Sequence, residues 1–279
     1  MMLEWNRQMS INSTEKSTLV KVVIPIYRNL NDEETASLNN TMEILGQHSI
    51  SFLLPESYKA DHLLSKYPKA EAIRVSDKWL GTQCGITGYN NMMKQKSFYS
   101  LFSSCEYILI CHTDAWIFRD ELTSWCQLNY DVVAAPWPMR KKYGYFPLKQ
   151  ILRLRRLLTP KTRLMHQDKY NRIGNGGLSL RRVDSFMKAC DDYQQEAAFF
   201  DTFTDVHYGE DMFWALVPKN FRYPSANEAL KFSFDSNPWL CYQLANKQMP
   251  MGCHGFNHKD KRAFWKNIIP VKSLRQPIK

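Results

Sequence analysis

Residues able to bind a cation follow directly after a predicted buried strand in the first half of the chain. The strand is the apolar run at residues 107–111, and His112-Thr113-Asp114 comes after it. A carboxylate at the carboxyl end of such a strand commonly holds a divalent cation together with a phosphate-bearing ligand. Asp114 is therefore a candidate ligand for Mg²⁺ or Mn²⁺, although an aspartate that caps a turn would have the same spacing. His112 would point to the same side as Asp114 if the backbone is extended there.

Two further segments carry residues suited to ligand chemistry. Asn175, Gly176 and Gly177 precede a predicted strand, and paired glycines either let the backbone approach a ligand closely or form a tight turn. Glu210 and Asp211 open a predicted helix, where they are either simple caps or a general base with an orienting neighbour. Aromatic residues near this acid pair would partly dehydrate the carboxylates and raise their basicity, namely Tyr208, Phe213 and Trp214.

A fourth segment ends at His254. This histidine could serve as a single metal ligand, or it could be a structural histidine of the core. A zinc site formed with Cys253 and His258 is a weaker interpretation, because a second cysteine pair and the usual ligand spacing are missing.

The elements that would position these residues alternate between strand and helix over the first 115 residues. This alternation predicts an α/β fold with a largely parallel sheet. The predicted strands there are 20–26, 50–55, 72–75 and 107–111, and the predicted helices are 31–47 and 88–102. The second half has predicted strands at 131–138 and 177–180 and predicted helices at 183–199 and from 210 onward. Because ligands of parallel sheets bind beyond the carboxyl ends of the strands, residues 25–28 and 112–114 should lie at one edge.

Composition limits the class of protein. The chain has 279 residues, of which 44% are hydrophobic, so it can bury the core of one large domain. We expect a polar leader at 1–17, a single domain at 18–270 and a tail at 271–279. Its seven cysteines are odd in number and form no CxxC pair, which indicates buried thiols in a reducing compartment. No signal peptide or spanning segment is recognisable, so we expect a cytoplasmic protein whose membrane contact, at the inner face of the plasma membrane, is peripheral.

The net charge of +10 is concentrated in one insertion at residues 139–172. That segment holds eleven Lys and Arg residues and one acidic residue, Asp168. Within it, residues 148–158 form a helical pattern whose apolar face is interrupted by Arg155. This pattern fits docking on an anionic membrane surface, and a solvated lid or a face toward a partner subunit fits equally. The segment has few aromatic residues to stack bases and no nucleic-acid motif, so no nucleic-acid partner is expected.

In their order along the chain, these segments resemble nucleotide-sugar-dependent glycosyltransferases of the GT-A fold. The likeness is greatest to inverting β-galactosyltransferases that act on N-acetylglucosamine and to bacterial relatives of that family. Residues 23–28 are similar to the family's first strand and nucleoside-holding segment, and 112–114 stands where the family has its Asp-x-Asp motif. Residues 175–180 resemble the family's Gly-Gly segment beside the donor sugar. Residues 209–211 resemble its Gly-Glu-Asp motif, and residues 251–254 its Met-x-x-His motif.

The resemblance implies one GT-A-like (Rossmann-like) domain whose mixed, mainly parallel sheet is flanked by helices. It also implies a hexosyltransferase that moves a sugar, with inversion, from a nucleoside-diphosphate sugar, UDP-sugar favoured, to a hydroxyl of a glycan or lipid-linked acceptor in bacterial surface polysaccharide synthesis. Asp211 would be the catalytic base, and Glu210 would orient the acceptor. The donor-binding candidates are Pro25, Ile26, Tyr27, Arg28, Asn90, Thr113, Asn175, Gly176 and Gly177. The candidate ligands for Mn²⁺ or Mg²⁺ are Asp114, His254, His112 and Met251.

Three departures from the family pattern leave alternatives open. His112 replaces the first aspartate of the metal motif, so the choice of metal is not fixed by the resemblance. Tyr27 shifts the aromatic residue of the first strand by one place, which leaves the base preference open. The insertion at 139–172 has no counterpart in the galactosyltransferase pattern. A non-catalytic sugar-nucleotide or glycan-binding protein of the same fold is the alternative function.

Overall fold

A six-stranded sheet forms the centre of the protein. The computed structural model describes residues 16–160, 162–203 and 205–276, so most of the predicted leader and the end of the predicted tail lie outside it. Its strands are β1 (Thr18–Pro25), β2 (Ser49–Pro55), β3 (Glu71–Val75), β4 (Cys105–Cys111), β6 (Val132–Ala134) and β7 (Leu178–Arg182). They lie in the order β3-β2-β1-β4-β7-β6. β1 to β4 are parallel, and β7 runs antiparallel to both β4 and β6. The predicted mixed, mainly parallel α/β sheet is confirmed.

Helices cover both faces of this sheet. They are α1 (Asp32–Ile44), α2 (Asp61–Lys66), α3 (Gly85–Met92), α4 (Lys96–Ser100), α5 (Leu122–Gln127), α6 (Leu148–Leu158), α7 (Val183–Asp192), α8 (Gln194–Asp201), α9 (Glu210–Leu216), α10 (Ala226–Phe232), α11 (Pro238–Leu244) and α12 (Arg262–Trp265). Side chains alternate along β4, so Leu109 packs into the core on one face and Ile110 into the core on the other. Burial on both faces explains why the central strands are continuous apolar runs.

The register of the central strands brings their carboxyl ends to one edge of the sheet. Val23 in β1 lies opposite Ile110 in β4, so the segments that follow the two strands leave the sheet side by side. The predicted neighbourhood of residues 25–28 and 112–114 is therefore confirmed. In open parallel sheets, ligands generally bind at this edge.

A second, three-stranded sheet stands beside this edge. Its strands are β5 (Ala115–Ile117), β8 (Ser233–Phe234) and β9 (Gly252–His254), in the order β5-β9-β8. β5 and β9 are antiparallel, and Ala115 lies opposite His254. Pairing of these two short strands fixes His254 next to the segment that contains Asp114.

Two predicted helices are each two helices in the structure. The prediction for 88–102 is wrong because the helix breaks at residues 93–95, where Gln95 is extended before α4 begins. The prediction for 183–199 is wrong because Tyr193 leaves the helical conformation between α7 and α8. All four helices contribute to the same core, so the apolar spacing continues across each break and conceals it.

Other expectations concern the state of the cysteines and the length of the helices. All seven cysteines are free thiols; the expected burial holds for six of them, and Cys84 is exposed. No helix in the described parts of the chain combines the length and the apolarity needed to cross a bilayer. The helix predicted at 148–158 is confirmed as α6 with the same bounds.

Candidate functional site

A cleft of about 500 Å³ opens at the carboxyl edge of the main sheet. Its walls are the segment after β1, the residues leading into α3, the turn after β4 and the segment after β9. The lining residues are Pro25, Ile26, Tyr27, Arg28, Leu30, Asn31, Glu34, Leu80, Gly81, Gly85, Ile86, Tyr89, His112, Thr113, Asp114, Asn257 and His258. A cleft of this volume can enclose a ligand of nucleotide size.

Two residues that line this cleft, His112 and Asp114, could share a metal ion with a third residue, His254. The ligand atoms of His112, Asp114 and His254 all lie within 4.8 Å of one another. His254 Nε2 is 3.1 Å from Asp114 Oδ1, and His258 Nε2 is 3.1 Å from Asp114 Oδ2. The donor set of imidazole nitrogen and carboxylate oxygen therefore fits a divalent cation.

Local backbone geometry explains how His112 and Asp114 reach the same place. Ala115 donates its amide hydrogen to the His112 carbonyl at 3.0 Å, so residues 112–115 form a tight turn. The backbone here is therefore a turn and not the extended segment considered from the sequence. The two side chains do meet, but the turn is what brings them together.

A buried carboxylate behind the cluster holds His254 in position. His254 Nδ1 donates toward Asp235 Oδ1 at 3.3 Å, and Lys261 Nζ is 2.5 Å from the same oxygen. Asn175 Nδ2 also lies 3.1 Å from His254 Nδ1. A hydrogen bond at Nδ1 leaves Nε2 directed at Asp114, which is the arrangement found in histidines that ligate metals.

The charges within the cluster compensate one another. Burial alone would raise the pKa of Asp114, but the charge of His254 and the hydrogen bonds from His254 and His258 hold it well below its usual range. Burial alone would lower the pKa of His254, and the two carboxylates of Asp114 and Asp235 outweigh it and raise the pKa to about 10. Burial lowers the pKa of His112 to about 4, so this imidazole is neutral at physiological pH.

The paired glycines stand where side chains would collide with the site. A Cβ atom on Gly177 would overlap the His254 imidazole, and a Cβ atom on Gly176 would overlap the Glu210 carboxylate. Asn175 precedes them in the positive-φ region, and its Oδ1 accepts hydrogen bonds from the Gly177 and Leu178 amides. Glycine is therefore required for close approach at both positions.

Glu210 is turned inward to a buried arginine. Arg181 Nη2 lies 3.2 and 3.1 Å from the two Glu210 carboxylate oxygens, and only 3% of Glu210 is exposed. Arg181 faces this way because alternate residues of β7 point to opposite faces, and Leu180 occupies the other core. Arg181 also donates to the Tyr99 hydroxyl at 2.8 Å. This position does not fit the predicted contact between Glu210 and an acceptor, because the carboxylate is enclosed and already paired.

Asp211 has a different environment from its neighbour. It is partly buried and forms no ion pair with Lys or Arg among the residues that the structure describes, and its Oδ1 accepts the Met212 amide hydrogen at 2.7 Å. Burial and the nearby charge of Glu210 raise the pKa of Asp211 to about 6. A carboxylate with that pKa is ionised at neutral pH and is basic enough to accept a proton in a reaction.

Tyr89 marks the point where these segments converge. Its hydroxyl is 2.8 Å from His112 Nε2, and the tyrosine lines the cleft. Burial raises the pKa of Tyr89, and the charges of Glu210, Asp114 and Asp211 raise it further. Asp114 of the possible metal site and the acid pair Glu210-Asp211 therefore both lie within electrostatic range of Tyr89.

The remaining predicted residues occupy different positions. Tyr27 is half exposed at the cleft, whereas Arg28 forms a two-pronged ion pair with Glu34 there. Asn90 accepts the Glu210 amide hydrogen at 3.2 Å and so supports the start of α9. Met251 is fully buried in the hydrophobic core.

The alternative zinc set does not assemble. Cys253 packs into the core on one side of β9, while His254 lies in the site on the other side. Among the described residues, the cluster that could hold a metal contains His112 and Asp114 in place of Cys253 and His258.

Sequence reasoning missed several members of the site. Asp235 and Lys261 were not predicted, although an aspartate directly after an apolar residue and before an Asn-Pro turn is a usable signal. Arg181 was missed as well, although a charged residue within a buried strand requires a partner. His258 was considered only for zinc, and in the structure its imidazole lies beside Asp114.

The family model described as "Protein of unknown function (DUF5672)" matches residues 69–254. The chain belongs to this family. The matched range contains Asp114, Gly176, Gly177, Asp211 and His254, so the DUF5672 match spans the site. The sequence comparison with curated proteins finds no match.

Solved structures of glycosyltransferases share the fold of this DUF5672 chain. The galactosyltransferase LgtC, solved in complex with donor and acceptor sugar analogues, has a TM-score of 0.53 and 14% identity, and the match covers 88% of this chain and 91% of LgtC. The bifunctional glycosyltransferase WbbM has a TM-score of 0.55 and 13% identity over 92% of this chain, which spans about half (51%) of WbbM. Mouse xyloside xylosyltransferase 1 has a TM-score of 0.51 and 11% identity, covering 87% and 98% of the two chains. The fold is therefore that of GT-A glycosyltransferases.

Proposed function

We propose that this protein is a glycosyltransferase that moves a hexose from a nucleoside-diphosphate sugar to an acceptor hydroxyl. One observation carries the proposal: a nucleotide-sized cleft contains two of the possible metal ligands, His112 and Asp114, and its lining residue Tyr89 lies within electrostatic range of the basic carboxylate of Asp211. The shared fold with LgtC, which was solved with donor and acceptor sugar analogues, supports the same conclusion.

The residues of the cleft have separate roles in this scheme. Tyr27 and the turn at Thr113 hold the nucleoside diphosphate, with a UDP-sugar as the favoured donor. A divalent cation bound by His112, Asp114 and His254 would neutralise charge on the leaving diphosphate.

Asp211 accepts the proton of the acceptor hydroxyl. The acceptor oxygen then forms a bond to the anomeric carbon as the bond from that carbon to the diphosphate breaks. A single displacement of this kind inverts the anomeric configuration. General base catalysis of this type contributes roughly 10²–10⁴-fold to the rate.

Glu210 acts as a positioning residue in this scheme. Its ion pair with Arg181 anchors the first turn of α9, and its carboxylate fills the space above Gly176. Its negative charge also helps to keep the pKa of Asp211 high. We therefore replace the predicted role in acceptor orientation with one that acts through Asp211.

A thermal-shift screen tests donor binding. Nucleoside-diphosphate sugars are added with and without Mn²⁺, and release of free sugar and diphosphate is then measured for any donor that binds. A true donor at 100 times its Kd should stabilise the protein by about 2.7 kcal/mol and should be slowly hydrolysed. If no sugar nucleotide changes the melting temperature or is hydrolysed, the proposal is wrong.

The alternative of a non-catalytic binding protein gives a different result in the same screen. It predicts a thermal shift with a sugar nucleotide and no hydrolysis or transfer. The raised pKa of Asp211 favours the enzyme, because a binding protein has no need for a destabilised carboxylate.

We also propose that the insertion at 139–172 contacts an anionic membrane, where a lipid-linked acceptor in surface polysaccharide synthesis would be available. Every residue of α6 is at least partly exposed, and Leu157 and Leu158 are 82% and 76% exposed. Phe146, just before the helix, is 82% exposed, and basic residues surround these apolar side chains. Exposed apolar side chains among basic ones suit the interface of an anionic bilayer.

Vesicle sedimentation tests this contact. The protein should sediment with vesicles that contain phosphatidylglycerol at low salt, and less with pure phosphatidylcholine vesicles. Leu157→Ser combined with Leu158→Ser should reduce sedimentation, whereas Leu101→Ser, at a partly exposed leucine elsewhere, should not. Equal sedimentation with both vesicle types, or none with either, would remove the membrane role.

A further inference from the structure

The candidate metal site contains more nitrogen than a site built for magnesium. Two of its three donors are imidazoles, His112 and His254, and the third is the carboxylate of Asp114. Carboxylate, carbonyl and water ligands suit Mg²⁺, whereas imidazole suits Zn²⁺, Ni²⁺, Cu²⁺ and Fe²⁺. The ligand types of this chain therefore favour a different class of ion from the one that an Asp-x-Asp pair would favour.

The orientation of His254 strengthens this preference. Asp235 Oδ1 lies 3.3 Å from its Nδ1 and is itself paired with Lys261, so Nε2 is the ring nitrogen that faces Asp114 and the site. A carboxylate behind a ligating histidine raises its basicity and fixes its ring, and such partners are typical of transition-metal sites.

The second oxygen of Asp114 is occupied by another imidazole. His258 Nε2 lies 3.1 Å from Asp114 Oδ2, while Asp114 Oδ1 faces His254. Each oxygen of Asp114 therefore has an imidazole beside it, and surroundings so rich in nitrogen are a poor basis for an ion that demands octahedral oxygen ligands, as Mg²⁺ does.

We propose that this site selects a nitrogen-preferring transition-metal ion, of the Co²⁺, Ni²⁺, Zn²⁺ or Fe²⁺ class, over Mg²⁺, and that His112 sets the preference. The inference rests on the metal site of the proposed function and is independent of whether a sugar is transferred. It concerns the free protein, so it is measured without donor or acceptor.

Competition between Co²⁺ and Mg²⁺ tests the proposal. Tag-free protein is stripped of metal with a chelator and titrated with Co²⁺, and the visible absorption of bound Co²⁺ is followed. We expect saturation by one equivalent of Co²⁺ with Mg²⁺ present in excess. The absorption spectrum should indicate nitrogen ligands.

A swap at one position provides the decisive variant. His112→Asp should weaken Co²⁺ binding and strengthen Mg²⁺ binding. The ratio of the Co²⁺ affinity to the Mg²⁺ affinity should fall by at least about tenfold, because loss of a residue that only orients a ligand already costs about 10–100-fold in metal affinity. His62→Asp is the matched control, because His62 is exposed and outside the cluster, and it should leave the ratio unchanged. Far-UV circular dichroism checks that both variants fold.

Three results would overturn the proposal. They are equal displacement of Co²⁺ by Mg²⁺ in the wild-type protein, an unchanged ratio in folded His112→Asp protein, and no metal binding at all. If His112→Asp does not fold, His112→Asn replaces it, because it also removes the imidazole, and the Co²⁺ to Mg²⁺ ratio should again fall. Failure here would leave the transferase proposal standing if donor hydrolysis proceeds with Mg²⁺, so the two failures are distinguishable.

Discussion

Asp114 and Asp211 are two carboxylates of one candidate site, and their surroundings are opposite. Asp114 faces His254 and His258, and its pKa lies well below the usual range. Asp211 has an acidic neighbour, Glu210, and its pKa is raised to about 6. A carboxylate that stays ionised beside imidazole side chains is suited to sharing a metal with them, whereas one beside a second carboxylate is suited to accepting a proton. The site thus separates two roles by environment, although the residue type is the same.

Replacing Asp211, the carboxylate without a basic partner among the described residues, should have the largest effect on sugar transfer. Asp211→Asn should reduce transfer by roughly 10²–10⁴-fold, because the amide cannot accept the acceptor proton. The same change should stabilise the fold at pH 7. The raised pKa means that the folded state disfavours the ionised form, by about 3 kcal/mol for a shift from 3.8 to about 6. This penalty is absent below pH 3.8 and complete above pH 6.

Two measurements check that prediction together, namely turnover and the free energy of unfolding in urea. Asp32→Asn is the matched control, because Asp32 also lies in the first turn of a helix but is exposed. It should change neither quantity appreciably. Unchanged turnover in Asp211→Asn would exclude this residue as the base.

Removing the partner of Glu210 should destabilise the protein strongly. Arg181→Met leaves a buried carboxylate unpaired, which costs about 3–5 kcal/mol in free energy of unfolding. The double variant Arg181→Met with Glu210→Gln should recover much of that loss, because it removes the buried charge. Urea denaturation of the single and double variants measures both. A loss below about 1 kcal/mol for Arg181→Met would show that Glu210 is not enclosed as described.

Weakening the support of the metal cluster should have a smaller effect. Asp235→Asn keeps the size of the side chain but removes the charge behind His254, and metal affinity should fall about 10–100-fold. Asp205→Asn is a matched control, since Asp205 contacts His207 Nδ1 at 2.5 Å on the surface. Calorimetric titration of both variants with Co²⁺ makes the comparison. Equal affinity in the two variants would mean that Asp235 does not support the site.

Local patterns in the sequence predicted more of the fold than of the site. α6 was predicted to the residue because its amphipathic spacing is local, and the parallel strands followed from long apolar runs. The pairing of β9 with β5 joins residues far apart in the chain through three-residue strands, which carry too little pattern to predict. The same limit hid Asp235 and Lys261, whose importance depends on that pairing.

The acid pair shows a second limit of sequence reasoning. Adjacent residues at the start of a helix point in different directions, so one carboxylate meets Arg181 and the other does not. Glu210 and Asp211 were predicted as a functional pair, and their division of labour depends on Arg181 in a strand 29 residues away along the chain. Only the packed structure reveals which of the two carboxylates is paired with an arginine.

The pH dependence of kcat/KM tests the central claim most directly. With saturating metal, kcat/KM should fall about tenfold per pH unit below an apparent pKa of about 6, as protonation of Asp211 removes the base. Metal affinity is measured over the same range, so that proton competition at the imidazoles is accounted for, and Asp211→Asn should lack this limb. A wild-type profile that stays flat down to pH 4.5 with metal still bound would contradict the account.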